Sequence, residues 1–115
     1  MEYKIGFIGA GKVGVTLGKY FSMHGTKVCG YFSKNSNSAR EASEFTASIC
    51  FRALKDLVNA CNLIFITTPD NIIKEVWSEI KEFDLKDKII CHTSGSFSSL
   101  INSFFMLIPP KIMMQ

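Results

Sequence analysis

The chain lacks any block of like charge, any closely spaced cysteine pair and any long apolar run, and each absence removes a class of function. Its 13 basic and 10 acidic residues are scattered over 115 positions, for a formal net charge of +3. No basic stripe therefore points to nucleic acid or to a membrane surface. Cys29, Cys50, Cys61 and Cys91 stand at wide, irregular spacing inside apolar stretches. With no C-x-x-C pair and no histidine arrangement beside them, they read as reduced core thiols and no metal site is expected. No segment approaches ~20 uninterrupted apolar residues, and "MEYKIGFIG" has neither the basic start nor the apolar core of a secretory signal. A cytoplasmic protein is the expectation. Only 3 prolines and 8 glycines exclude a collagen-like chain, while 47% hydrophobic residues exclude disorder. What is left is one globular domain over residues 1–115, long enough for a single core.

Apolar runs and helical spacings alternate along that domain. Tyr3 to Ile8 reads as a strand buried on both faces. From Lys12 to His24 the residues Val13, Leu17, Tyr20 and Phe21 recur at helical spacing, and Gly25 stands where a helix would stop. "KVCGYF", Lys27 to Phe32, is a second strand, followed by the polar run "SKNSNS" and a helix from Ala39 to Phe45. Ala47 to Phe51 is a short third strand and "RALKDLVNAC" a short helix. Cys61 to Thr67 is a fourth strand. Asp70 is placed to cap a helix over Asn71 to Phe83, whose Ile72, Ile73, Val76, Trp77 and Ile80 share a face. Lys88 to His92 is a fifth strand, and a further helix starts within Ser96 to Ser103. Alternation of this kind predicts a three-layer α/β domain, a doubly wound parallel sheet of five or six strands with helices on both faces.

The stretch "GFIGAGKVGVTLGKYF" carries G-x-G-x-x-G at Gly9, Gly11 and Gly14, after the first strand and at the opening of the first helix. That context gives the spacing a mechanism. Gly9 permits the tight turn, Gly11 keeps a side chain away from a pyrophosphate, and Gly14 lets helix and strand pack closely. The backbone of Gly9, Ala10, Gly11, Lys12, Val13 and Gly14 then faces the phosphates at a helix amino end. The competing reading is a tight βα turn that binds nothing. A mononucleotide phosphate loop fits worse, because no Ser or Thr follows Lys12.

About 20 residues on, an Asp or Glu would bind the ribose 2′-OH of NAD. That acid is missing. Gly30 to Ser36 reads "GYFSKNS", placing Ser33, Lys34 and Asn35 where a 2′-phosphate would lie, with Ser36 or Arg40 in support. NADP is expected in preference to NAD, against the alternative that "SKNSNS" is only a solvated loop. The missing acid also disfavours a methyltransferase.

"GFIGAGKVGVTLGKYF", "VCGYFSKNSNSA", "LIFITTPDNIIKEV" and "IICHTSGSFSS" occur in an order that resembles the Rossmann-like domain preceding a helical domain designated DUF2520, in a family of NADP-dependent oxidoreductases. The chain is similar, more distantly, to F420-dependent NADP oxidoreductases, pyrroline-5-carboxylate reductases and the 6-phosphogluconate dehydrogenase superfamily. The likeness covers residues 3 to about 99, and "CHTSGSFSS" is its most discriminating piece. It implies a Rossmann fold with Thr67, Thr68 and Pro69 bordering the nicotinamide ribose, and with His92, Thr93, Ser94 and Gly95 lining the nicotinamide side. It also implies a continuation into a strand, a His-Pro segment and a helical domain. Here residues 103–115 are atypical, with Ile108-Pro109 standing where His-Pro is expected, so a truncated member is the expectation.

His92 and Ser94 are the plausible proton-handling pair, an imidazole with a neighbouring hydroxyl. The alternative is that His92 only caps the strand end. His24 and Asp70 read as structural, and Trp77 with the methionines as packing. The expected function is an NADP(H)-binding domain of an oxidoreductase moving hydride to or from a small carbonyl or imine. Catalysis by this chain alone stays open, since half a cleft excludes water poorly. The competing class is a non-catalytic nucleotide-binding module that pairs with another chain or, through "FFMLIPP", with its own copy as a homodimer.

Overall fold

A computed structural model of the protein describes residues 3–68 and 70–92, with the backbone alone at residues 70, 71 and 92. Its elements in chain order are β1 (Lys4–Ile8), α1 (Lys12–Met23), β2 (Lys27–Phe32), α2 (Ser36–Phe45), β3 (Ile49–Cys50), α3 (Leu54–Ala60), β4 (Leu63–Ile66), α4 (Asp70–Ile80) and β5 (Ile89–His92). All strand pairs are parallel, in the order β3-β2-β1-β4-β5. The chain winds outward from β1 to β3, then crosses back through α3 to lay β4 on the other side of β1. The order therefore reverses between β1 and β4, and in open sheets of this kind ligands lie outside the carboxyl ends of the strands at that reversal.

Alternation along the strands divides the core into two layers. Ile5, Phe7, Val28, Tyr31, Leu63 and Phe65 face one way, beneath Leu17 and Phe21 of α1 and Ala39 and Ala42 of α2. Ile8, Ile64, Ile66 and Ile90 face the other way, beneath Leu57 and Val58 of α3 and Val76, Trp77 and Ile80 of α4. Across three adjacent strands Phe7 stacks on Tyr31 at 4.9 Å and on Phe65 at 5.5 Å. These rings sit in register, so they lock the strands that carry the turn after β1. The fold is the three-layer Rossmann type that the sequence predicts, with five strands among the described residues.

Several boundaries differ, each for a local reason. Helix α2 starts at Ser36, not Ala39, because the Asn35 side chain accepts hydrogen bonds from the Asn37 and Ser38 amides and caps it. Strand β3 keeps only Ile49–Cys50, because Ala47 takes a left-handed turn at φ 53°. Asp70 is the first residue of α4, not the residue before it. Helix α1 ends as expected, with Gly25 at φ 79° and the Thr26 amide bonded to the Phe21 carbonyl. The helix expected from Ser96 and the atypical segment 103–115 lie outside the described residues.

Cys29, Cys61 and Cys91 are buried, Cys50 is half-buried, and none of the four is in a disulfide. Burial pushes the Cys91 thiol up to about 11; burial first, and the neighbouring Cys29 second, push Cys61 upward as well. Thiols so biased toward the protonated form are poor nucleophiles, as expected of core packing. No helix among the described residues is long and apolar enough to cross a membrane.

Candidate functional site

The carboxyl ends of β1, β2 and β4 are drawn together by backbone and hydroxyl bonds around the glycine turn. The Gly9 amide donates to the Phe32 carbonyl at 2.8 Å, and the Thr67 amide donates to the Ile8 carbonyl at 2.9 Å. The Thr67 hydroxyl donates to the Gly9 carbonyl at 3.1 Å. From below, the buried Tyr31 hydroxyl of β2 donates to the Gly14 carbonyl at 2.8 Å, holding the first turn of α1 against the sheet. Burial raises the Tyr31 pKa, outweighing a lowering hydrogen bond with Thr46, so the phenol stays a donor.

The three glycines of the turn have different physical reasons. Gly9 lies at φ 108°, and a Cβ there would come within 3.0 Å of the Thr67 hydroxyl and 3.1 Å of Thr68. At Gly14 a Cβ would stand 2.9 Å from the Gly9 carbonyl oxygen and 2.8 Å from the Thr67 hydroxyl. Both are therefore required by the protein itself. Gly11 is not: its backbone is extended at φ −81°, ψ −172°, a region open to any residue, and a Cβ would meet nothing within 4 Å among the described residues. It is exposed and occupies the N-cap of α1 without a capping side chain, and the first turn holds no acidic residue. Asn, Asp or Ser at an N-cap would stabilise the helix more than glycine does. The leading amides of α1 thus have no side-chain cap, and the first turn brings no carboxylate of its own, an arrangement suited to an anion.

Beside the turn, Lys12 is exposed while Ala10 and Val13 are half-buried. The segment after β2 brings Ser33, Lys34 and Asn35 to the same edge. The Ser33 hydroxyl accepts from the Asn35 amide at 3.2 Å. Asn35 turns its oxygen inward, accepting at 3.1 Å and 3.2 Å as the cap of α2. Lys34 donates to Glu75 of α4 at 2.7 Å; that hydrogen bond and charge raise the Lys34 pKa. Arg40 donates to Asn37 at 3.3 Å. After β4, Thr67 is committed to the turn, whereas the Thr68 hydroxyl is buried without a hydrogen-bond partner among the described residues. Buried polar side-chain atoms in folded proteins mostly have a partner, so this hydroxyl calls for an explanation.

His92 closes β5 in register with Ile66, which sets its backbone at this same edge; its side chain, like Pro69, Thr93, Ser94 and Gly95, lies outside the described residues. His24 is structural: its Nδ1 lies 2.8 Å from the Tyr20 carbonyl and its ring stacks on Tyr20. Sequence reasoning missed Glu75, whose only trace was its place on the polar face of α4, and Tyr31, whose hydroxyl reads in sequence as strand packing.

Reversed strand order, a glycine turn and an open helix terminus define a dinucleotide-type Rossmann domain. Residues 4–94 match the family described as NADP oxidoreductase, coenzyme F420-dependent, and the chain belongs to that family. No curated protein matches the chain. Among solved structures it is similar to a Bacteroides fragilis protein assigned as an NADP oxidoreductase, with TM-score 0.73 and 24% identity over 84% of this chain and 37% of that one. An imine reductase from Pseudomonas sp. has TM-score 0.69 and 20% identity over 90% and 36% of the two chains. Mycobacterium tuberculosis 3-hydroxyisobutyrate dehydrogenase has TM-score 0.70 and 15% identity over 92% and 36%. The chain spans just over a third of the length of these structures, and at such identities the likeness is one of fold.

Proposed function

We propose that this chain binds NADP(H), with the diphosphate at the amino end of α1 and the 2′-phosphate at Ser33 and Lys34, as a domain of an oxidoreductase. The observation that carries the reading is Gly11, a glycine that neither the described fold nor its backbone angles require, with room beside it among the described residues. The partnerless Thr68 hydroxyl supports it from the other side of the turn. When bound, the cofactor supplies hydride transfer. The chain's residues supply the rest. The amides of Gly11 to Val13 bind the diphosphate, and Thr67 orders the turn that presents them. Thr68, with Thr67 and Pro69, borders the nicotinamide ribose, and Thr93 lines the nicotinamide side. Ser33 and Lys34 favour a 2′-phosphate by charge-assisted hydrogen bonds, since no carboxylate ends β2. His92 and Ser94 handle the proton, a role supported by the position of His92 at the end of β5. A small carbonyl or imine is the substrate class, in keeping with the imine reductase and hydroxyacid dehydrogenase among the similar folds.

Titration of the purified chain with NADPH and NADH, followed by nicotinamide fluorescence, tests this. NADPH is expected to bind more tightly, and Lys34→Ala to weaken it by about tenfold, the scale of one hydrogen bond to a charged group. Failure of both nucleotides to bind at millimolar concentration would falsify the proposal and reduce the glycines to a structural turn.

A further inference from the structure

Lys34, the cation offered to the 2′-phosphate, already has a partner. Its ammonium lies 2.7 Å from the Glu75 carboxylate, with the two side chains 62% and 50% exposed. Glu79, one turn further along α4, adds a weaker attraction. The pair is long-range in a telling direction. Lys34 follows β2 and Glu75 follows β4, and these strands flank β1, so they stand about 10 Å apart at ordinary strand spacing. The ion pair therefore ties the segment that follows β2 to α4, across β1 in the strand order.

We infer that Glu75 is a specificity-determining residue, an internal competitor that holds Lys34 and must release it when a nucleotide 2′-phosphate arrives. The inference rests on the NADP(H) reading above. Its chemistry is an exchange of anions on one ammonium: the carboxylate leaves and a phosphate of higher charge takes its place. An exposed pair is weak enough for that exchange, and a phosphate is the stronger partner because it brings more charge and more acceptor oxygens. A nucleotide without a 2′-phosphate has nothing to offer Lys34 and leaves the pair intact. Glu75 thus narrows the gap in affinity between NADPH and NADH, and its removal widens it.

The experiment is a titration of the wild-type chain, Glu75→Gln, Lys34→Ala and the double variant with NADPH and NADH, with melting curves on each to show that it is folded. In Glu75→Gln, NADPH is expected to bind about fivefold more tightly, the upper scale of an exposed ion pair, while NADH changes less than twofold. In the Lys34→Ala background the same substitution should yield no gain, because the competitor has lost what it competes for. An unchanged NADPH affinity in Glu75→Gln, with Lys34 still required, overturns the competitor role and leaves the nucleotide reading standing. An equal gain for both nucleotides also overturns it, making Glu75 a general obstacle. If the wild-type chain binds neither nucleotide, both readings fall together.

Discussion

Helices α1 and α2 begin at the same edge of the sheet, each after three connecting residues beyond the end of β1 or β2, yet their amino ends are finished in opposite ways. Helix α2 is closed by its own sequence, the Asn35 oxygen accepting from two of its first amides. Helix α1 begins at a bare glycine with no capping side chain. It is anchored instead through a carbonyl, by the Tyr31 hydroxyl on Gly14, which steadies the turn without using a single leading amide. Helix α3 also starts without a side-chain cap, at Ala53, but it carries Asp56 in its first turn, where α1 carries no acidic residue. The difference teaches that α1 is positioned by the sheet and left open at its tip, the combination a bound anion requires.

The sharpest way to break this comparison is to collapse the open end. Gly14→Val would drive a branched side chain into the Gly9 carbonyl and the Thr67 hydroxyl, and should lower stability by about 3 kcal/mol, the upper range for overpacking. Urea unfolding reads the loss, and nucleotide binding should vanish with the displaced turn. Next in size is Gly11→Asp, which makes α1 resemble α2. Its backbone angles suit any residue, so melting temperature should hold or rise slightly. The new carboxylate before the amides should weaken NADPH by about 100-fold or more, the scale of one close like-charge contact. A variant that is stable and still binds would show the open tip to be idle. Tyr31→Phe tests the anchor: losing the buried hydroxyl that bonds the Gly14 carbonyl and interacts with Thr46 should cost about 1.5 kcal/mol, read in the same unfolding curves.

These contrasts were only partly legible in the sequence. The glycine spacing and the alternation of apolar runs with helical periods are local patterns, so the turn, the element order and the fold class could be read directly. The start of α2 was misplaced because Ser36, Asn37 and Ser38 carry no apolar period, and a helix first turn made of turn-forming residues looks like loop until its cap is identified. Ala47 hid the shortness of β3, since alanine gives no sign of a left-handed backbone. Contacts across the fold were out of reach altogether. Lys34 and Glu75 are 41 residues apart and Tyr31 and Gly14 are 17 apart, and each pair meets only because β1 lies between or beside its strands. The spacing assigned each glycine a different task, but the atoms that a Cβ would meet at Gly9 and Gly14, and the room beside Gly11 among the described residues, could be read only from the fold.

The smallest effect is expected at the closed end, and it is the one that separates capping from ligand contact. Asn35 is a candidate for both roles, since it neighbours Ser33 and Lys34 in the segment proposed for the 2′-phosphate. Its oxygen is committed to the Asn37 and Ser38 amides. Asn35→Ala should therefore cost about 1 kcal/mol of stability, the usual worth of an N-cap, and Asn35→Ser should recover most of it because a hydroxyl also caps. If capping is its whole task, NADPH affinity changes less than twofold in the serine variant, whose α2 keeps its closed start. A tenfold loss of NADPH affinity in that variant, with melting temperature restored, would assign the amide nitrogen of Asn35 to the phosphate. Helix α2 would then be closed by a residue that also reaches outward, and the line between the two helix ends would run through that single side chain.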